Sequence, residues 1–362
     1  MRKFALLFAA AALMALFAGC SRKEEPLPED AHVYEGVKAA SAYAALAEKP
    51  DARKVLLVGD DAKALKGYFS AAGVKCLEHI EGKADIVAVD CSRMSEKAFS
   101  RLESLVSENG VAAWLMNVHG VTAREFRDMV KSFRFPAVHL WMAGEKRWVL
   151  VGCRKPRRIK MDALVEMFTR DRGFETLAKS GVDSLGVLLA GYVGTAGDIM
   201  PAFEGGGLSA LVRPEFFISK EPPKLDWISA EGVDGDIAKK FFDDIAEAQG
   251  ARRMVVSGAM KAAGGDEKGA VDEWAAACEI EPKDVFLRER LARLERNAKG
   301  FLEVQKVLMA MKCYETMLLI EPGNSAIMHN FGSCLKRIGK LDLAEKVFER
   351  AREMMGGKEG GK

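Results

Sequence analysis

The sequence predicts an α/β domain followed by an all-α array of helix pairs, with a short apolar leader in front. Three observations carry this reading. Aliphatic runs of strand length alternate with helix-period segments between residues 54 and 153. Small, aromatic and proline residues return about every 34 residues between 251 and 358. An apolar run over 4–19 follows Arg2 and Lys3 and stops at Cys20, after which 21–26 is polar.

The leader comes first. Its apolar run falls short of the ~20 residues a membrane span needs but suits the h-region of a secretory signal, so 1–19 is read as a signal peptide. Ala18 and Gly19 directly before Cys20 resemble the lipobox of bacterial lipoproteins, with Phe17 where that family most often has Leu. The resemblance implies a diacylglycerol on the Cys20 thiol, and each buried CH₂ of an acyl chain contributes ~0.8 kcal/mol to membrane attachment. Within that family Ser21, rather than Asp, implies a lipid-anchored protein of the cell envelope, at the outer membrane facing the periplasm.

The 362 residues and 49% apolar content allow two or three domains with sizeable cores. The formal charge is +2, and removing 1–19 takes Arg2 and Lys3 with it, so no basic surplus argues for nucleic acid. Beyond Cys20, the cysteines at 76, 91, 153, 278, 313 and 334 form no CxxC and no cluster with histidine at metal spacing. No metal and no cofactor are therefore expected, and nothing in the spacing selects a disulfide pair. The five histidines have no Ser or Cys partner at motif spacing, which leaves a nucleophile triad without support.

After a linker over 20–30, residues 31–48 read as one helix. Strand 55–59, helix 61–72, strand 74–80, strand 85–90 and helix 95–108 follow. Gly110 punctuates before strand 111–118, and helix 122–133 opens on Thr122 with Glu125 completing a capping box. Segments 137–143 and 147–153 flank Gly144-Glu145 as an antiparallel hairpin. Parallel strands joined by helices and closed by such a hairpin predict a truncated, methyltransferase-type Rossmann-like sheet.

Segment 41–222 resembles the spermidine synthase (polyamine aminopropyltransferase) family. The resemblance rests on 54–59, 85–90, 110–114 with 121–126, the hairpin 138–153, the basic loop 154–158 and Arg213-Pro214-Glu215-Phe216. It implies a domain over 31–215, with Asp90 at the place of the catalytic aspartate that accepts a proton from the attacking amine. Gly59 stands in the turn that approaches the nucleoside donor, and Glu78 at the place of the acidic ribose ligand. The turn is Gly59-Asp60-Asp61-Ala62-Lys63 rather than glycine-rich, and Arg93 replaces a second acid. Only 81–84 separates the second strand from the strand of Asp90, so the family's third strand has no room. These departures predict a catalytically degenerate domain. The other readings are a surface carboxylate at Glu78 and, at Asp90, a strand-end residue capping the next helix. Gly205-Gly206-Gly207 lacks the context of a phosphate loop.

Pro222-Pro223 and Gly232 mark a linker over 216–232, and 233–250 reads as a helix capping the array. Three copies then follow, at 251–284, 285–324 and 325–358, the middle one about six residues longer. Gly258, Ala270, Trp274, Ala277 and Pro282 mark the first copy; Ala310, Tyr314, Met317 and Pro322 the second; Gly332, Ala344, Phe348 and Ala351 the third. This stretch resembles the tetratricopeptide (TPR) repeat family, which implies a superhelix whose concave face binds a protein or peptide. Counted from the start of each copy, that family's groove positions fall on Arg252 and Val255, on Glu289, Arg293 and Arg296, and on His329, Ser333, Lys336 and Arg337. The set is mostly cationic, which suits an acidic peptide partner; the plain reading is a solvated charged helix face.

The expectation is thus a membrane-anchored lipoprotein that acts as a protein-binding scaffold. The alternative is an S-adenosyl-nucleoside-dependent transferase, aminopropyltransferase-like or methyltransferase, with Asp90 as general base.

Overall fold

The computed structural model describes residues 31–77, 82–91, 94–156, 158–170, 173–179, 182, 184–203, 210–214 and 223–356. The expected signal peptide, Cys20, Glu78, Arg93 and Gly205-Gly206-Gly207 lie outside the described residues. The chain divides into two compact units, Met1–Gly250 and Ala251–Lys362.

The first unit is built on a mixed seven-stranded sheet in the order β2-β1-β3-β4-β6-β5-β8. Its strands are β1 (Lys54–Val58), β2 (Lys75–Leu77), β3 (Ala84–Asp90), β4 (Val106–Asn117), β5 (Ala137–Met142), β6 (Arg147–Cys153) and β8 (Tyr192–Thr195). β7 (Ile159–Lys160) pairs in parallel with β9 (Ile228–Ser229) in a separate small sheet. β2, β1, β3 and β4 run parallel, while β6 is antiparallel to β4 and to β5. β3, β4 and β6 are buried along most of their length, as strands covered on both faces must be.

The helices are α1 (Ala31–Ala47), α2 (Asp60–Lys63), α3 (Lys66–Ala71), α4 (Glu96–Leu105), α5 (Ala123–Ser132), α6 (Met161–Thr169), α7 (Gly173–Lys179), α8 (Leu185–Leu189) and α9 (Ala196–Ile199). α1 lies against β6 and β4, and its alanines from Ala39 to Ala47 are almost wholly buried because small side chains let a helix settle close to a sheet. Ser95 caps α4, and Thr122 with Glu125 forms the expected capping box on α5. On the other face Phe99 meets Phe133 and Phe135 edge-on, and Trp114 lies tilted against Phe133. Gly152 makes room for them: a Cβ there would sit 2.5 Å from the Phe135 ring.

Three expectations are corrected here. The helix over 61–72 is two short ones, α2 and α3, separated by a tighter turn in which Leu65 N–H donates to Ala62 O rather than one residue further back. The fourth strand does not wait for Gly110 but starts at Val106. The register against β3 shifts between Ala84 and Ile86, a bulge in which Gly110 lies too close to Asp85 O and Ser107 Oγ to carry a side chain. The expected capping helix is not separate, since α10 runs unbroken over Gly235–Ala263.

The second unit consists of the end of α10 with α11 (Glu267–Ile280), α12 (Val285–Glu303) with α13 (Val307–Ile320), and α14 (Ser325–Arg337) with α15 (Leu341–Gly356). We call the members of each pair helix A and helix B. All three A–B turns are three residues long with a left-handed residue in the middle: Gly265 at φ 87°, Gln305 at φ 59° and Gly339 at φ 79°. Each closes with the same bond, from Asp266, Lys306 and Lys340 N–H to the carbonyls of Lys261, Phe301 and Leu335. The B–A turns also match, with Asp284 and Asn324 as N-caps.

Packing repeats with the turns. A Cβ on Gly258 would lie 2.5 Å from Trp274, and one on Gly332 2.8 Å from Phe348. Small residues on helix A therefore receive the aromatic of helix B. Ala298, wholly buried on α12, and Tyr314 hold the equivalent places in the middle pair.

Candidate functional site

In the first unit the sequence points to the C-terminal ends of β1 and β3. Gly59 follows β1 at φ 98°, and α2 starts at once. A Cβ on Gly59 would stand 2.8 Å from Asp90 O and 3.0 Å from Asp90 Cβ, so the two strand ends are in direct contact. Asp90 Oδ2 accepts the Asp61 amide at 3.1 Å, and the Asp61 carboxylate is ion-paired with Arg147 on β6. Asp90 does cap a helix, but it is α2 after β1 and not the next helix along the chain, which Ser95 caps.

Burial pushes the Asp90 carboxyl up to about 6, helped by the charges of Asp61 and Asp60 and opposed by the Asp61 amide and Arg147. The neighbouring Cys91 thiol is pushed up to about 12 by its own burial and then by Asp90. Such a carboxyl could take a proton near neutral pH. Its Oδ2 is nevertheless already bonded to backbone. The Asp61 amide of the turn is thus engaged by Asp90, and the bare side of Gly59 faces Asp90 rather than open space, an arrangement that does not suit a nucleoside donor.

A second polar cluster carries no local signal in the sequence. Glu48, just past the end of α1 and almost fully buried, lies with Oε1 2.6 Å from His139 Nδ1 and accepts the Trp141 indole N–H at 3.1 Å. Tyr192 and Trp227 pack on His139 and Trp141 with ring centres 5.3–5.9 Å apart. Burial, then the charge of Glu48, raises the Tyr192 hydroxyl above its ordinary value. Glu48 and His139 are 91 residues apart in the chain, and no local pattern ties them. The rings fill the space between them, so the cluster pins α1 to the sheet.

The candidate groove changes most. Arg252 is not available to a partner: its Nε donates to Asp284 Oδ2 at 2.8 Å, both side chains are buried, and its guanidinium lies 4.9 Å over the Phe286 ring. Val255 is buried as well. The extra length of the middle copy is in α12, with 19 residues against 13 in α14. It enters at the start of the helix, because Ala298, Ala310, Tyr314 and Met317 match Gly332, Ala344, Phe348 and Ala351 at one constant offset counted through the A–B turn. The added start buries Val285, Phe286 and Leu287.

Counted from the turn, the equivalents of His329, Ser333 and Lys336 are Glu295, Lys299 and Leu302. Glu289, Arg293 and Arg296 lie roughly 100–160° around α12 from that stripe, at 100° per residue. Lys299 is ion-paired with Glu295 at 3.0 Å. What remains of the cationic face is the last pair: His329, tilted against the Phe348 ring with centres 4.9 Å apart, Lys336 and Arg337, all exposed, with Ser333 half-buried beside them.

Among the described residues no group of three or more His, Cys, Asp or Glu could hold a metal ion, and no helix is long and apolar enough to cross a membrane. All six cysteines in the described part are free thiols, and Cys91, Cys153 and Cys334 are buried. Comparison of the chain with models of protein families, with characterised proteins and with solved structures gave no match.

Proposed function

We propose that this chain is a cell-envelope lipoprotein, anchored through Cys20, that binds a protein partner through a C-terminal TPR superhelix. The observation that carries the reading is the threefold return of one interlock: a small residue on helix A against an aromatic on helix B, closed by the same left-handed turn. Packing that repeats at this level makes an extended surface rather than a single closed core. An acidic segment of the partner would lie on the last pair, against His329, Ser333 and Lys336, where a carboxylate meets charge that the chain leaves unpaired in its described contacts.

The first unit is proposed as a degenerate, methyltransferase-type Rossmann-like domain of aminopropyltransferase ancestry. The strand order, with four parallel strands and then an antiparallel pair, supports that ancestry. The contact between Gly59 and Asp90 supports the loss of catalysis. The raised Asp90 carboxyl favours the second reading, an S-adenosyl-nucleoside transferase, and its bond to the Asp61 amide counts against it.

A photo-crosslinking residue at Ser333 of the full chain tests the proposal in the envelope. One discrete adduct, lost on Lys336→Glu, is expected. Adduct formation unchanged by the charge reversal would overturn the acidic-partner reading, and no adduct at any helix A position would overturn the scaffold.

A further inference from the structure

The antiparallel helix pairs place all three A–B turns at one end of the second unit, and Lys312 at 2.7 Å from Glu267 ties the first two B helices together near that end. At this end the middle and last pairs expose large apolar side chains. Val304 is 62% exposed, Leu308 63% and Leu341 60%, with Met309 and Leu343 close behind. Repeat packing does not require them. At the same B-helix positions the first pair has Glu267, Lys268 and Gly269, and the fold there is the same.

Cations stand among these residues. Lys306 and Lys340 are the last residues of the two turns, and Arg337 ends α14; all three are exposed. Of the acids at the same end, Glu267 is paired with Lys312 and Asp266 accepts the Gly269 amide, while Glu303, Asp342 and Glu345 are exposed. The opposite end is built otherwise, from Glu281-Pro282-Lys283-Asp284 and Glu321-Pro322-Gly323-Asn324, with Leu319 as its most exposed apolar residue.

Exposed leucines in the first turns of the B helices, with lysine and arginine beside them, match a lipid surface: the apolar side chains enter the interface while the cations meet anionic headgroups. We propose that the A–B turns of the middle and last helix pairs seat this protein on an anionic bilayer surface. The inference rests on the helix-pair register and on the exposed turns. It needs neither the lipid on Cys20 nor the protein partner, and its test removes the first and leaves the second untouched.

The test uses the chain from residue 20 carrying Cys20→Ala, so that no acyl anchor is present, and sedimentation with vesicles of phosphatidylcholine alone or with phosphatidylglycerol. Binding to the anionic vesicles is expected, weakened several-fold by salt that shortens the Debye length from about 10 to about 3 Å. The double substitution Leu308→Glu and Leu341→Glu is expected to lower binding at least about tenfold, with the circular dichroism spectrum unchanged because both sites face solvent. Leu319→Glu, at the other end, is expected to leave it unchanged. No binding of the anchorless chain to anionic vesicles, equal binding to neutral ones, or equal losses from Leu319→Glu and the double variant would each overturn the proposal.

Discussion

Asp90→Asn is expected to make the protein more stable at neutral pH, which is the opposite of what loss of a buried hydrogen-bonded acid usually does. The folded state holds the Asp90 carboxyl at about 6 against an ordinary 3.8, chiefly through burial and then through Asp61. Ionising it in place therefore costs at most about 3 kcal/mol, at ~1.4 kcal/mol per tenfold change in proton affinity. The side chain is partly exposed, and solvent screening reduces this to about 1–2 kcal/mol. Asparagine keeps a neutral oxygen for the Asp61 amide, removes the repulsion from Asp60 and Asp61, and gives up the attraction to Arg147 and the charge in the amide bond. Because the folded value is the higher one, the wild type has its full stability from this group below about pH 4 and loses it as pH rises through about 6. Urea denaturation followed by tryptophan fluorescence at pH 4.5 and 7.5 reads the difference. The variant should gain at pH 7.5 and gain much less at pH 4.5. A variant that loses stability at pH 7.5, or a difference independent of pH, would refute the reasoning and leave Asp90 as a favourable anion.

Three further outcomes test the packing. Gln305 holds a left-handed backbone that glycine holds in the other two A–B turns, so Gln305→Gly should stabilise the second unit by about 1 kcal/mol; a loss of stability would contradict the matched turns. Arg252→Ala leaves Asp284 buried without its partner and should cost about 3–5 kcal/mol, read by thermal unfolding, whereas a cost under 1 kcal/mol would return Arg252 to the partner-binding set. Gly332→Val drives a side chain into the Phe348 ring and should cost about 1–3 kcal/mol, and a neutral result would remove the interlock from the last pair.

The parts legible in the sequence were those with local signals. The hairpin of β5 and β6 follows from two apolar runs around Gly144-Glu145, and the start of α5 from Thr122 with Glu125. Gly258, Trp274, Gly332 and Phe348 announced the helix pairs because close packing admits few residue types at those places. What escaped was settled between distant segments. Asp90 turns back to α2 because β1 and β3 are neighbours in the sheet, which the chain order does not state. Glu48 reads as a surface acid until β5 brings His139 and Trp141 to it. The six extra residues of the middle copy were countable, but their place was not. Ala292 and Ala298 are equally good small residues, and only the burial of Ala298 against the A–B register decides between them.

The loss of the donor site is the claim on which the scaffold reading turns. Isothermal titration of the chain from residue 20, carrying Cys20→Ala, with S-adenosylmethionine and with its decarboxylated analogue measures it directly. The account predicts no saturable heat with either compound, because the Gly59 turn is engaged by Asp90. Saturable binding abolished by Asp90→Ala would contradict it.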